Sequence, residues 1–130
     1  MRRTLRKTEI LRGKKNFQEI FDNGKKINGS VLRCLVLQKS EQDSKETTRV
    51  KVAFVVPRTI RRATDRNRIK RLMRESYRLN KHIIPAQFYS ASERLSLLFL
   101  FNIKKKGSLA MPQFTDIENE MKAILNEIIS

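Results

Sequence analysis

The chain has little of what enzymes and membrane proteins need. With Cys34 as the one cysteine, neither an intrachain disulfide nor a cysteine-built metal site can form, and its apolar neighbours predict a small core residue. The one histidine, His82, has no Ser, Cys or carboxylate pair beside it, and no Gly-rich phosphate loop is present. The longest apolar run, residues 97–101, is too short to cross a bilayer, and residues 1–10 lack the apolar segment of a secretory signal. We therefore expect a cytoplasmic protein without membrane contact, catalytic residues or metal ligands.

Acidic residues are also scarce beside the basic ones. The 130 residues include 29 Lys and Arg against 13 Asp and Glu, which gives a net charge of +16. A charge of this size favours a nucleic-acid partner. The acids concentrate in residues 41–46 and near the C-terminal end, whereas a nuclease acting alone needs carboxylates at its basic site to hold metal ions. The composition therefore predicts a nucleic-acid-binding module and not a complete enzyme.

Residues 66–78 contain six Lys and Arg and a single Glu, without Pro or Gly. Ile69, Leu72 and Met73 follow helical spacing and predict a buried stripe. Glu75 is placed to pair with Arg71 at the i−4 position, and Arg68 points away from the main basic row. An ordinary solvated helix face is the alternative, but Arg predominates here, and its planar fork suits phosphate oxygens and guanine edges. The basic face of this helix comprises Arg66, Asn67, Lys70, Arg74 and Arg78.

The remaining pattern predicts one domain over residues 1–130, with residues 1–12 forming a basic arm or simply a solubilising terminus. A polar loop over residues 40–48 joins two antiparallel strands, and Thr115 with Glu118 fits a capping box at the start of the last helix. That acidic helix is expected to pack away from the polyanion. The order α–β–β–α–β–α indicates an α/β (α+β) two-layer sandwich with three helices. The predicted elements are a helix over 14–23, strands over 31–38 and 49–57, a helix over 61–81, a strand over 95–103 and a helix from Thr115.

Two further patterns suggest a second binding surface. Phe17 and Phe21 lie one turn apart in the first helix, where aromatic residues are more often core, yet their neighbours Lys14 and Lys15 are cationic. Aromatic side chains among cations are what single-stranded nucleic acid uses, because bases stack and phosphates need charge. In the first predicted strand, Arg33 shares a face with apolar residues, namely Val31, Leu35 and Leu37. That face is therefore expected to be partly open, beside a cleft.

The segment Arg-Asn-Arg-Ile-Lys-Arg-Leu-Met-Arg-Glu at residues 66–75 resembles the signature of the bacterial ribonuclease P protein subunit. The segment Phe-Gln-Glu-Ile-Phe at residues 17–21, followed by Gly24 and Lys25, is similar to that family's first helix. The resemblance covers residues 10–81 well. It implies a protein that binds a catalytic RNA, one protein per RNA, and that helps this RNA to remove the 5′ leader of precursor tRNA. It also implies Mg²⁺ bound mainly by the RNA, and a four-stranded sandwich with a left-handed βαβ crossover, hence one strand more than the three identified.

The resemblance divides the candidate residues into two surfaces. The catalytic RNA is expected at Arg66, Asn67, Arg68, Lys70, Arg71, Arg74 and Arg78. The leader of precursor tRNA is expected at Phe17 and Phe21, with phosphate contacts from Lys14, Lys15, Arg33 and Arg58.

Residues 56–61 depart from the family pattern, because Pro57, Thr59 and Arg61 stand where Ser, Lys and Gly are usual. The turn into the signature helix is therefore expected to differ. Two other functions fit the charge and size. One is a ribosomal or other structured-RNA-binding protein without a role in cleavage. The other is a DNA-binding regulator with its Arg-rich helix in the major groove, which requires a short helix and turn before that helix.

Overall fold

A computed structural model describes residues 10–11, 13–40, 50–84, 93–102 and 112–128. Within these ranges the chain forms three α-helices, a short 3-10 helix at Lys81–Ile83 and a four-stranded mixed sheet. The predicted α+β class is thereby confirmed. Expectations for residues 1–9, 41–48 and 103–107 lie outside the described residues. The elements are α1 (Lys14–Asn23), β1 (Lys25–Asn28), β2 (Leu32–Ser40), β3 (Val50–Val55), α2 (Ala63–Asn80), β4 (Glu93–Phe101) and α3 (Phe114–Ile128).

The sheet has the strand order β1-β2-β4-β3. β4 pairs antiparallel with β2 and parallel with β3, so its nearly continuous apolar sequence belongs to a central strand, as predicted. β2 and β3 run in opposite directions, but β4 separates them, so they do not form a hairpin. Parallel neighbours need a crossover connection, and α2 supplies it between β3 and β4. The left-handedness of this crossover stays a prediction.

The strand that the pattern missed is β1. Its sequence is Lys-Lys-Ile-Asn, and only Ile27 is buried. One apolar residue in four gives no alternation to detect. Pairing with β2 forms the strand nonetheless, with Ile27 opposite Cys34.

The first face of the sheet carries the main core, under α2 and α3. Ile69 and Met73 from α2 are buried there, together with Met121 from α3. Three aromatic rings, those of Phe54, Tyr77 and Phe99, have centroids 5.9 Å apart in each pair. Cys34 is also buried on this face, as predicted. Burying these apolar side chains on one sheet face fixes α2 in place and leaves its opposite side to the solvent.

Helix α1 crosses the second face, where Ile20 is buried with the sheet residues Leu35, Ala53 and Leu98. The helix enters at the β3 edge, because the Leu11 amide donates to the Val52 carbonyl oxygen at 2.8 Å. Its last residue leads directly into β1, the opposite edge strand. Ten residues of helix span about 15 Å, close to the roughly 14 Å between the outer strands of a four-stranded sheet. α1 therefore spans the sheet from edge to edge and leaves the rest of this face less covered.

Two local details explain how the chain enters α1 and leaves α2. Gly13 precedes α1 with a φ of 97°, a conformation that a residue with a Cβ rarely adopts, so the chain turns from the β3 edge into the helix at a glycine. At the end of α2, the Asn80 side chain donates to the Ser76 carbonyl oxygen at 2.7 Å and to the Glu118 carboxylate at 3.1 Å. The second bond ties α2 to α3.

The capping box predicted for the last helix is wrong. The helix begins at Phe114, and the Gln113 carbonyl oxygen accepts from the amides of Asp116 and Ile117, so Thr115 lies inside the first turn. Glu118 therefore faces α2 and contacts Asn80 instead of closing back on the helix start. The acidic helix packs directly beside the basic one. Its separation from a polyanion stays a prediction.

Glu120 of α3 fixes the connection between β1 and β2. Its carboxylate accepts from the Val31 amide at 2.8 Å and from the Leu32 amide at 3.1 Å. These amides precede or begin β2, and Val31 packs on the first face, not beside Arg33 as its spacing predicted. A Cβ at Gly29 would collide with the Glu120 Oε1 atom and lie 2.7 Å from the Leu32 carbonyl oxygen. The glycine therefore allows the carboxylate to approach the turn.

Candidate nucleic-acid interface

The solvent side of α2 presents a row of cations, as the helical spacing predicted. The stripe residues Ile69 and Met73 are buried and Leu72 is half-buried. Arg66 and Arg78 are half-buried. The fully exposed residues of the predicted RNA surface are Asn67, Arg68, Lys70, Arg71 and Arg74.

Arg66 has a structural contact that sequence reasoning missed. Its Nη1 atom donates to the carbonyl oxygens of Ile60 at 2.7 Å and Arg61 at 2.9 Å. These oxygens belong to the altered connection between β3 and α2, where the Ile60 amide also donates to the Pro57 carbonyl oxygen at 3.1 Å. Ile60 is buried in the core. Arg66 therefore stabilises the turn into the helix, and a guanidinium keeps further donors for an RNA oxygen.

Arg66→Ala is expected to lower the free energy of unfolding of the free protein by about 1 kcal/mol, the usual net value of a hydrogen bond. Arg68→Ala is the matched control, because Arg68 is an exposed residue of the same helix turn. Urea unfolding without RNA measures both. Equal stabilities for the two variants would contradict the role of Arg66 in the turn.

The predicted ion pair between Glu75 and Arg71 is wrong. Glu75 accepts instead from Arg78, whose Nη2 atom lies 2.8 Å from Oε2. Both spacings place the partners on neighbouring helix turns, and the half-buried Arg78 is the one that reaches the carboxylate. Within the described ranges, Lys70, Arg71 and Arg74 have no acidic partner, so their charge is not neutralised by the protein itself.

The second candidate surface lies around α1. Phe17 is half-buried against the core of the second face, whereas Phe21 is 50% exposed, a high fraction for a large apolar side chain. Lys14 and Lys15 are exposed but line a shallow depression of α1 together with acidic residues, namely Glu19 and Asp22. Their positive charge is thus partly offset, and the two Phe residues do not line this depression. Phe21 is the better placed of the two aromatics for stacking.

Arg33 shares a sheet face with Leu35 and Leu37, as the strand alternation predicted, and α1 packs on this face. In the sheet register it stands between Asn28 of β1 and Leu100 of β4, and Leu100 is paired with Val55 of β3. We call these four residues the open row, because Asn28 is exposed and the other three are half-buried. Arg58 is exposed just beyond β3. The structure therefore places Phe17, Phe21 and Arg33 around one sheet face, opposite the face covered by α2.

The described residues contain no group of three or more His, Cys, Asp or Glu that could hold a metal ion, and His82 is an exposed residue of the 3-10 helix. Burial raises the pKa of the Cys34 thiol, and a backbone hydrogen bond at Leu98 opposes only part of that rise. The nucleophilic thiolate is therefore disfavoured. Among the helices of the described segments, none is long and apolar enough to cross a membrane.

The helix–turn–helix alternative does not fit, because a strand and a turn precede α2 where a DNA-binding motif needs a short helix. The choice among RNA-binding proteins then rests on comparison with known proteins.

A family model described as Ribonuclease P matches residues 5–129. The ribonuclease P protein component of Chlorobaculum tepidum is 32% identical over 127 residues, covering 94% of this chain and 80% of that protein. That of Coprothermobacter proteolyticus is 36% identical over 98 residues, covering 75% and 72%. The solved ribonuclease P protein of Thermotoga maritima superposes with a TM-score of 0.69 at 24% identity, over 92% of this chain and 96% of that one.

The solved ribonuclease P protein of Staphylococcus aureus gives a TM-score of 0.66 at 17% identity, over 92% of this chain and 94% of that one. At these identities the two solved structures establish the fold alone. The family match and the sequence relatives also establish family membership, because they extend over most of the chain. The chain belongs to the family of ribonuclease P protein components.

Proposed function

We propose that this protein binds the catalytic RNA of ribonuclease P through α2 and the 5′ leader of precursor tRNA beside α1. It thereby promotes endonucleolytic removal of the leader and formation of the mature tRNA 5′ end. The observation that carries the proposal is the separation of two candidate RNA surfaces on opposite faces of one sheet. A protein with this layout can hold two RNA segments at once, and membership in the family makes the ribonuclease P RNA its partner.

The proposal for the catalytic RNA rests on the charge and rigidity of α2. Residues 66–78 extend over about 18 Å of helix axis, and the buried stripe holds this segment against the sheet. Cations without acidic partners gain most from phosphate oxygens, which release counterions when they are bound. Lys70, Arg71 and Arg74 are therefore the main proposed contacts, joined by Asn67 and Arg68. We expect smaller direct contributions from Arg66 and Arg78, which have partners within the protein.

The proposal for the leader rests on Phe21 and the open row. An unpaired leader exposes base faces, which stack on aromatic side chains. Phe21 offers such a face, Arg33 offers charge on the same sheet face, and Arg58 is an exposed cation after the end of β3. Lys14 and Lys15 are proposed as weaker phosphate contacts, because Glu19 and Asp22 lie beside them.

We assign the hydrolysis of the phosphoester bond to the RNA, with Mg²⁺ held mainly by the RNA and one protein bound to each RNA. We assign no chemical step to the polypeptide itself. Its contribution is to bind and orient the two RNA molecules and to reduce their electrostatic repulsion.

The direct test is cleavage of a precursor tRNA by the cognate ribonuclease P RNA at low Mg²⁺ concentration, with and without the protein. We expect strong stimulation of cleavage at the mature 5′ end, and no cleavage by the protein alone. A protein that binds the RNA but leaves the cleavage rate unchanged would instead be a structural RNA-binding protein, and the leader assignments would fail.

Phe21→Ala is expected to weaken binding of precursor tRNA by the holoenzyme about 10-fold, because stacking of a base on an aromatic ring contributes about 1–3 kcal/mol. Binding of mature tRNA, which lacks the leader, should not change. Phe17→Ala should also weaken precursor binding more than mature binding, but it should lower protein stability as well, since Phe17 packs against the core. Equal losses for precursor and mature tRNA in the Phe21 variant would contradict a leader contact.

A further inference from the structure

The guanidinium of Arg33 has no partner among the described residues, in a place where a partner is expected. Its Nε–H group is buried and donates no hydrogen bond, and the structure gives Arg33 no ion pair among the described residues. A buried polar group without a hydrogen bond destabilises the folded state and calls for a physical reason. One such reason is a ligand that supplies the missing acceptor. Because no protein bond holds the guanidinium, it can turn towards a ligand without losing one.

The open row lies beside α1 and not beneath it. The end of α1 continues into Lys25, which is opposite Val36, and Arg33 is three residues further along β2. Three residues of strand correspond to about 10 Å, whereas a helix with its side chains has a radius of about 5–6 Å. The open row can therefore form the floor of a groove with α1 as its wall.

The neighbours of Arg33 favour a base over a phosphate. On one side stand Leu100 and Val55, two half-buried aliphatic side chains that offer an apolar platform for the flat face of a base. A phosphate on this platform would lose hydration that the two aliphatic side chains cannot replace. On the other side stands Asn28, whose exposed amide can donate to and accept from a base edge. Among the bases, guanine presents the O6 and N7 acceptor pair that matches an Arg fork.

We propose that Arg33 is a specificity-determining residue that recognises a guanine of the single-stranded 5′ leader on the open row. The guanine lies on Leu100 and Val55, and its O6 and N7 atoms accept hydrogen bonds from the Arg33 guanidinium, with Asn28 beside the same edge. This inference rests on the proposed function, because it requires the leader to follow this sheet face. It adds a sequence preference, which phosphate contacts and stacking alone do not provide.

The test uses the holoenzyme and a set of precursor tRNAs in which each leader position in turn carries guanine or adenine. We expect the wild-type holoenzyme to bind one position of the set about 10-fold more tightly with guanine, the lower range for a bidentate Arg–guanine contact. Arg33→Lys keeps the charge but lacks the planar fork, so it should lose this preference. Arg62→Lys is the matched control, because Arg62 is an exposed Arg that belongs to neither proposed RNA surface, and it should keep the preference.

The outcomes separate this inference from the proposed function. If no leader position shows a guanine preference while precursor tRNA still binds more tightly than mature tRNA, the role of Arg33 is refuted and the leader surface stands. The same holds if Arg33→Lys keeps the preference, because another residue would then recognise the base. If precursor and mature tRNA bind equally, the leader surface itself fails. Thermal melting of the Arg33 variant, expected to match the wild type, controls for folding.

Discussion

The double substitution Lys70→Ala and Arg74→Ala is expected to weaken binding to ribonuclease P RNA by about 30-fold, taking about 1 kcal/mol for each exposed contact to a phosphate. The two side chains are exposed, lie one helix turn apart and have no acidic partner within the described residues. The slope of the logarithm of the binding constant against the logarithm of the salt concentration should also become shallower, by roughly 1–2. Because both side chains lie away from the core, the stability of the free protein should hardly change.

A charge-matched control separates local contacts from the general field of a highly basic protein. Lys25→Ala with Lys122→Ala removes the same two charges from exposed positions on β1 and α3. If α2 is the docking surface, this control should lose only a few-fold in RNA affinity, through its smaller net charge. Equal losses in the two double variants, measured by titration at several salt concentrations, would mean that RNA attraction is not localised on α2.

Glu120→Ala is expected to lower the free energy of unfolding by about 2–3 kcal/mol, because it leaves two partly buried backbone amides without their charged acceptor. Those amides belong to Val31 and Leu32, and the lost bonds connect α3 to the start of β2. Glu120→Gln should recover about half of the loss, since its amide group keeps one oxygen but has no charge. Urea denaturation of the free protein measures the series.

Glu127→Ala is the control for this series, because Glu127 is an exposed acid on the same helix. Its loss should remain below about 1 kcal/mol, as for other surface charges. If Glu120→Ala were no more destabilising than Glu127→Ala, the contact between α3 and the β1–β2 connection would not contribute to the stability of the fold.

Helical spacing and continuous apolar segments in the sequence predicted the fold well. The bounds of α1 were predicted to the residue, because Phe17, Ile20 and Phe21 mark the helical period and Gly24 follows its end. The continuous apolar sequence of β4 identified the central strand. These features depend on local periodicity and on burial of both strand faces. Both produce a recognisable pattern of apolar residues within a short segment of the sequence.

The features that were missed depend on tertiary partners. β1 exists because β2 offers it an edge, although its own sequence lacks a strand pattern. Glu118 could have closed a capping box, but Asn80 of α2 binds it instead. Glu75 had two Arg residues within helical reach, and packing selected Arg78. In these cases consecutive residues permitted more than one outcome, and the folded structure decided between them.

The candidate site was predicted in outline. Helical spacing placed Lys70 and Arg74 on one exposed face, and strand alternation placed Arg33 on the face of α1. Spacing could not show that Arg66 also holds the altered turn at Ile60, because that contact depends on the path of the backbone between β3 and α2. Nor could it show that Arg33 lacks a protein partner.

The central position of β4 also constrains how the protein can fold during its synthesis. β4 is the last of the four described strands, yet it is the only neighbour that β3 has among them and the only link between β3 and the β1–β2 pair. A ribosome-bound chain that has not yet exposed residue 101 therefore cannot assemble the sheet against which α2 packs. During that interval the most basic helix has an unburied apolar stripe, and it emerges beside the ribosome's own RNA. Nonlocal strand pairing is slow, and apolar surface stays exposed until it is complete. Pairing of β4 is therefore the step that allows the apolar stripe of α2 to be buried and protects it from premature contacts.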